Sequence, residues 1–125
     1  MATAVPGIAL SLNRIGFGFA YLLRPAQAGK GWIGRAAKDP ASQVFARGHG
    51  ARDIGLGGGA LVALARRDER AARPWFAAQA LADAADVAAT LAAGSRLPSG
   101  GRRFALTMAG VSAGVAIASA LRARS

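Results

Sequence analysis

Long apolar stretches alternate with short charged segments along this chain. The charge-poor stretches are residues 5–23, 54–65, 75–93 and 104–121. A helix of about 20 mostly apolar residues matches the roughly 30 Å hydrocarbon core of a lipid bilayer. The pattern therefore predicts one transmembrane domain, residues 1–125, with helices at approximately 6–23, 42–65, 75–93 and 104–121.

The connecting segments carry residues that end helices and face water. The first predicted helix stops at Arg24, because the residue before a proline disfavours the helical conformation. Residues 25–40 predict a charged, glycine-rich loop in which Trp32 anchors the chain at the membrane surface. Short turns at about 66–74 and 94–103 make the later helices antiparallel neighbours.

A soluble four-helix bundle is the alternative that this pattern leaves open. Alanine-rich segments insert weakly into membranes, and two aspartates make residues 75–93 a poor membrane span. Residues 104–121, however, have no charge on any face, and a chain of 125 residues cannot easily bury such a helix on all sides. The prediction is an all-α, four-helix transmembrane bundle, a multi-pass protein of the cell membrane.

The amino-acid composition limits the metals, cofactors and partners that the chain can bind. Apolar residues make up 53% of the chain, and the formal net charge is +10. With no cysteine and one histidine, thiolate and multi-histidine metal centres are excluded, and we expect neither a metal nor a cofactor. The basic residues lie in the turns rather than along one helix face, which argues against a nucleic-acid partner. We expect them to contact anionic lipid head groups, with Trp75 and Phe76 as an aromatic pair at the same depth.

The distribution of positive charge predicts how the protein is oriented in the membrane. Eight cations fall on the side of the first and third connections, and six fall on the other side. Because cytoplasmic loops carry the excess of positive charge, this small difference favours both termini outside.

Polar residues in the predicted third helix fall on one face. At offsets of 0, 4, 7 and 11 they are Gln79, Asp83, Asp86 and Thr90. The second helix repeats the spacing with Gly48, Arg52, Gly55 and Gly59. Glycines beside an arginine permit the close approach of a neighbouring helix. The two stripes predict a polar centre inside the bundle.

Six charged residues are expected in or near the hydrocarbon. The cations are Arg14, Arg47 and Arg52, and the anions are Asp53, Asp83 and Asp86. One unpaired charge at the bilayer centre costs about 2.5–3.5 kcal/mol, so we expect these residues to face inward and pair. Arg52 is the expected partner of Asp83 or Asp86, because a guanidinium can bind both oxygens of a carboxylate.

This polar centre has two interpretations. Arg–Asp pairs between membrane helices can serve only to fix packing and register. Intramembrane ionisable residues are also candidates for a substrate pocket or a proton path. In that case the binding residues are Arg14, Arg52, Asp53, Gln79, Asp83 and Asp86. Asp83 and Asp86 are then the candidate catalytic pair, since paired carboxyl groups can act as general acid and base.

Two further features have simpler interpretations. His49 lies four residues before Asp53 and can share its helix face, but we interpret it as a solvated loop residue at the membrane edge. Two glycine pairs with the GxxxG spacing predict close helix packing, and they are Gly55 with Gly59 and Gly110 with Gly114.

Two strings in the chain resemble a known family. One is residues 47–57, which contain Arg52 and Asp53, and the other is residues 81–86; residues 32–34 are similar to the family's first loop. They resemble a family of small bacterial four-helix membrane proteins of unknown function. In that family Arg-Asp opens the second helix and Asp-x-x-Asp lies in the third. The resemblance implies the same fold and the same polar pairing, and it implies no activity.

The sequence leaves three functions open. The first is a structural or accessory membrane component that packs with itself, as a homo-oligomer, or within a larger membrane complex. The second is an enzyme or binding protein for a lipophilic substrate such as an isoprenoid, a quinone or a lipid. The third is a small transporter in which the aspartate pair carries protons.

Overall fold

A computed structural model describes residues 4–123, which form five α-helices and two short 3₁₀ helices. The α-helices are α1 (Val5–Leu23), α2 (Pro25–Ile33), α3 (Pro40–Ala65), α4 (Glu69–Ala93) and α5 (Ser99–Arg122). The 3₁₀ helices are Gly34–Lys38 and Gly94–Arg96. No strand occurs among the described residues, so the predicted all-α class is confirmed. Arg124, one of the six cations on the second side of the predicted bundle, lies outside the described residues.

Prolines, glycines and one aspartate set the helix boundaries. Pro25 and Pro40 begin α2 and α3, where the missing backbone N–H is not needed. Gly34 and Gly94 end α2 and α4 with φ angles of 66° and 54°, a left-handed conformation that favours glycine. The Asp68 carboxylate accepts a hydrogen bond of 2.9 Å from a backbone amide in the first turn of α4.

These signals correct two predictions. The loop predicted at residues 25–40 is wrong, because most of that segment is helical as α2 and the first 3₁₀ helix. The helix predicted from residue 75 begins at Glu69, since the Asp68 cap satisfies its first turn ahead of Pro74.

The four long helices pack side by side in the order α1, α3, α4, α5. α1 and α5, which would close the ring, make few contacts with each other. The short α2 contacts both of them near the end at which α3 and α5 begin. The bundle is therefore open on the side between α1 and α5.

Glycines allow α1 and α3 to approach closely. A Cβ atom on Gly50 would collide with the Gly18 carbonyl oxygen, and one on Gly57 would come within 2.7 Å of the Ser11 carbonyl oxygen. Neither contact can give way by rotating a side chain, because each involves backbone. These glycines fix the distance at which α1 crosses α3.

In the part of the chain that the structure describes, most glycines of the two predicted GxxxG pairs do not lie at contacts between helices. Gly59 lies against the Trp75 ring, which joins α3 to α4. A Cβ on Gly55, Gly110 or Gly114 would meet no other helix within 4 Å among the described residues. Among the described residues, Gly59 is therefore the one glycine of these two pairs that lies in close contact with another helix.

The interior of the bundle is polar, and its surface is rich in large apolar side chains. The largest fully buried side chains are Gln79, Thr90 and Ser11. Buried apolar residues are mostly alanines, although Phe76 is 2% exposed and so lies in the core rather than at a surface belt. Large exposed side chains include Phe45, Leu81, Val44 and Val111, at 79, 72, 69 and 63%. Buried polar side chains and exposed large apolar side chains are the two features of this distribution that call for an explanation.

Among the described helices, α5 alone is long and apolar enough to cross a membrane. Its best window has a mean hydropathy of 1.8, and 17% of that window is buried. The other long helices carry charged residues in the corresponding stretch, namely Arg14 in α1, Arg52 in α3 and Asp83 in α4. Hydropathy by itself therefore supports one membrane span, not the four predicted from the sequence.

Candidate ligand-binding site

Arg14, in the middle of α1, makes polar contacts with three other helices. Its Nη1 donates a hydrogen bond of 3.0 Å to Asp53 Oδ1 on α3. Its Nη2 lies 2.6 Å from both carboxylate oxygens of Asp83 on α4 and 2.9 Å from Ser112 Oγ on α5. Since Arg14 is only 5% exposed, this arrangement ties all four long helices together through one buried guanidinium.

Arg52 forms the second part of the network. Its Nη1 and Nη2 donate to Asp86 Oδ1 and Oδ2 at 3.2 and 2.8 Å, in the two-pronged geometry that a guanidinium favours. Its Nε and Nη2 also lie 3.3 and 3.2 Å from Asp53 Oδ1. Asp53 accepts hydrogen bonds from both arginines and so joins the two parts. We call this set the Arg–Asp centre, and its members are Arg14, Arg52, Asp53, Asp83 and Asp86.

The expected pairing of Arg52 with Asp83 or Asp86 is confirmed, but one residue expected in the network lies outside it. Asp86 is the partner of Arg52, whereas Asp83 pairs with Arg14. Arg47, which was expected among the inward-facing charges, is exposed and outside the centre. The centre therefore holds two cations and three anions, a formal charge of −1.

Gln79 does not belong to the Arg–Asp centre. Its side chain is fully buried, and its Nε2 donates a hydrogen bond of 3.1 Å to the Leu56 carbonyl of α3. Its Oε1 has no hydrogen-bond partner among the described residues. Of the residues proposed for binding from the sequence, this one links α3 to α4 instead.

His49 is not the solvated loop residue that the sequence analysis assumed. It lies within α3, and its Nε2 is 3.5 Å from Asp53 Oδ2. Its ring packs against Tyr21 and Trp32, with centroids 4.9 and 5.5 Å away. His49 already fell within the helix predicted at 42–65. The interpretation was wrong because this part of α3 packs against α1 and α2, which shields the ring from solvent.

Trp32 also contributes to this region rather than only anchoring a loop. Its Nε1 donates a hydrogen bond of 3.0 Å to Thr90 Oγ1, and the Thr90 hydroxyl donates to the Asp86 carbonyl at 2.7 Å. The half-buried indole therefore ties α2 to α4 one turn away from the Arg–Asp centre.

A cavity of about 100 Å³ lies beside the centre. Every member of the centre except Arg52 lines it, and so do His49, Tyr21 and Ser112. Its exposed apolar lining residues, Phe17, Phe104 and Met108, belong to α1 and α5. The cavity therefore opens between these two helices. One water molecule needs about 10–15 Å³ of such space, so a small polar group fits with room to spare.

Sequence reasoning missed several lining residues. Tyr21 follows Arg14 by seven residues, so a helical face drawn through Arg14 would have included it. Ser112 gave no such signal, because it lies in a helix whose sequence has no charged side to indicate which face turns inward.

The fold and the site define a small all-helical protein with a buried ion-pair network beside a laterally open cavity. The chain belongs to the DUF4267 family, a domain of unknown function, which matches residues 11–121. This agrees with the resemblance to a family of unknown function. No curated protein and no solved structure matches the chain.

Proposed function

We propose that this chain is an integral membrane protein that binds the polar end of a lipophilic molecule beside the Arg–Asp centre. The observation that carries the proposal is the cavity of about 100 Å³, which is charged at its inner wall and apolar at its mouth. A ligand with a polar end and a hydrocarbon tail matches both regions. Binding pockets of this kind use a few placed polar groups within an apolar wall.

The distribution of side chains supports a membrane location for all four long helices. Large apolar residues point outward while arginine, aspartate and glutamine side chains are buried, which suits a hydrocarbon solvent. The helices α3, α4 and α5 have 26, 25 and 24 residues, so at 1.5 Å per residue each is longer than the roughly 30 Å core.

The basic residues support the same placement. At the end of the bundle near α2 they are Arg24, Lys30, Arg35, Lys38, Arg96, Arg102 and Arg103, and at the opposite end they are Arg66, Arg67, Arg70, Arg73 and Arg122. Two basic ends separated by an apolar belt fit a bilayer with anionic head groups on its surface. In this placement the gap between α1 and α5 faces the lipid, and a lipophilic ligand enters from the side.

A structural or accessory role is the second candidate. It is favoured by the completeness of the pairing, since all three aspartates of the centre accept hydrogen bonds from arginines. A purely structural ion-pair network needs no cavity beside it. Retention of a ligand therefore distinguishes the ligand-binding function from the structural one.

Native mass spectrometry of protein extracted in mild detergent tests the proposal. We expect wild type to retain a lipid-like molecule and Ala109→Phe to lose it, because Ala109 lines the cavity and a phenyl ring would fill it. Gly110→Phe is the matched control, since an added Cβ there meets no other helix among the described residues. If wild type carries no bound molecule, or if Ala109→Phe retains it equally, the ligand-binding proposal fails and the structural role is the one that stands.

A further inference from the structure

His49 lines the cavity, and within residues 4–123 it accepts no hydrogen bond from either arginine of the centre. Asp53 Oδ2, the carboxylate oxygen that accepts no arginine hydrogen bond among the described residues, lies 3.5 Å from His49 Nε2. Nε2 is the ring nitrogen within ion-pair distance of Asp53, so we assign Nδ1 to the ligand. An imidazole oriented by a carboxylate is the arrangement that proteins use for a general base.

The unused hydrogen-bonding groups of the cavity indicate the kind of ligand. Ser112 Oγ accepts from Arg14, so its own O–H is available to donate. The Tyr21 hydroxyl makes no hydrogen bond among the described residues and lines the same cavity. Two hydroxyl donors and one imidazole on the wall of the same cavity suit an uncharged oxygen acceptor, and a ketone is the class of such ligands that also has an acidic C–H beside the oxygen.

The formal charge of the site favours a ligand that is uncharged when it binds. Two arginines and three aspartates give the centre a charge of −1, which a carboxylate or phosphate ligand would make more negative. A proton that moves from a neutral ligand to His49 leaves the total charge of site and ligand unchanged, because the ligand becomes an anion as the ring becomes a cation next to the Asp53 carboxylate. Transfer inside the cavity therefore adds no net charge to it.

We propose that His49, positioned by Asp53, transfers a proton at the carbon next to the carbonyl group of a lipophilic ketone bound in the cavity. His49 Nδ1 takes the proton, the electron pair of the broken C–H bond forms the enolate C=C bond, and the carbonyl π pair moves to oxygen. The Ser112 and Tyr21 hydroxyls donate hydrogen bonds to this oxyanion. Return of the proton to carbon completes an exchange or, in an unsaturated ketone, a double-bond shift, and no oxidant or reductant is needed.

This inference rests on the proposed function, and 2-undecanone in D₂O tests both. Wild-type protein in phosphatidylcholine nanodiscs is expected to speed deuterium incorporation at the α-carbons of the ketone, as measured by mass spectrometry. His49→Gln should lower the protein-catalysed rate about 100-fold or more, and Ser112→Ala about 100-fold, while both still bind the ketone. Arg47→Gln, an exposed residue of the same helix, is the matched control and should keep the wild-type rate.

A second measurement uses the fact that the chain contains one histidine. In protein labelled with ¹⁵N-histidine, the single imidazole should show the Nε2–H tautomer, because Asp53 faces Nε2. An Nδ1–H tautomer, or equal exchange rates in wild type and both site variants with the ketone bound, would overturn the proton-transfer role and leave ligand binding intact. If the ketone fails to bind wild-type protein that retains a lipid-like molecule, this inference fails alone. If wild type retains neither molecule, or Ala109→Phe retains both equally, the proposed function fails with it.

Discussion

Arg14 and Arg47 are the same residue type in neighbouring helices, yet their surroundings differ completely. Arg14 is 5% exposed and bonded to two aspartates, whereas Arg47 is exposed. Removing one partner of a buried ion pair leaves a buried charge without compensation, which costs about 3–5 kcal/mol. Removing an exposed charge usually changes stability by less than about 0.5 kcal/mol.

We therefore expect Arg14→Met to lower the free energy of unfolding by about 3–5 kcal/mol and Arg47→Met to change it little. Tryptophan fluorescence during unfolding in mixed detergent and SDS micelles measures both. The double variant Arg14→Met with Asp83→Leu should recover part of the loss, because it removes the charge left unpaired. No recovery in the double variant would mean that the Arg14–Asp83 pair is not the source of the effect.

The sequence was informative at this scale where one helix carried the pattern. The stripe that contains Asp83 and Asp86 could be drawn from spacing, and both residues line the cavity. The sequence could not predict which arginine pairs with which aspartate. Arg14 and Asp83 are 69 positions apart in the chain, and their contact depends on which helices are neighbours. Ser112 was missed because the sequence of α5 has no charged side that would indicate its inward face.

For the helices, contacts between backbones determine where a helix forms when the composition of a segment does not. Glycines at positions 29 and 31 favoured a loop over a helix for residues 25–40. The segment is helical as α2, and its end lies so close to α5 that a Cβ on Gly101 would collide with the Trp32 carbonyl oxygen. Packing of this kind supplies most helix stability in proteins and is absent from local propensity.

Two neighbouring glycines in α3 offer a matched test of helix packing. Gly50→Ala should destabilise the protein by about 1–3 kcal/mol, because the new methyl group meets the backbone of α1 at Gly18. Gly48→Ala meets no other helix among the described residues and should leave stability unchanged or raise it by up to about 1 kcal/mol. Comparison of their unfolding midpoints checks the crossing, and equal effects of the two substitutions would contradict it.

For the whole molecule, the helix order fixes which ends lie together. Ala4, Glu69 and Ala123 line one small cavity, so both ends of the described chain and the turn between α3 and α4 share one end of the bundle. The Gly94–Arg96 helix lies at the other end, since α4 and α5 are antiparallel. If the long helices span a bilayer as we propose, these two ends face opposite compartments.

Because the chain contains no cysteine, single cysteines can report this topology directly. Arg66→Cys and Ser95→Cys place exposed thiols at the two ends of the bundle. The excess of cations near α2 favours a cytoplasmic position for Ser95, so in intact cells a membrane-impermeant maleimide should label Arg66→Cys and spare Ser95→Cys until the membrane is opened. The reverse labelling would keep the membrane bundle and invert its orientation. Equal labelling of both thiols in sealed vesicles of uniform orientation would mean that α4 does not cross the bilayer, and the lateral entry of a ligand would fail with it.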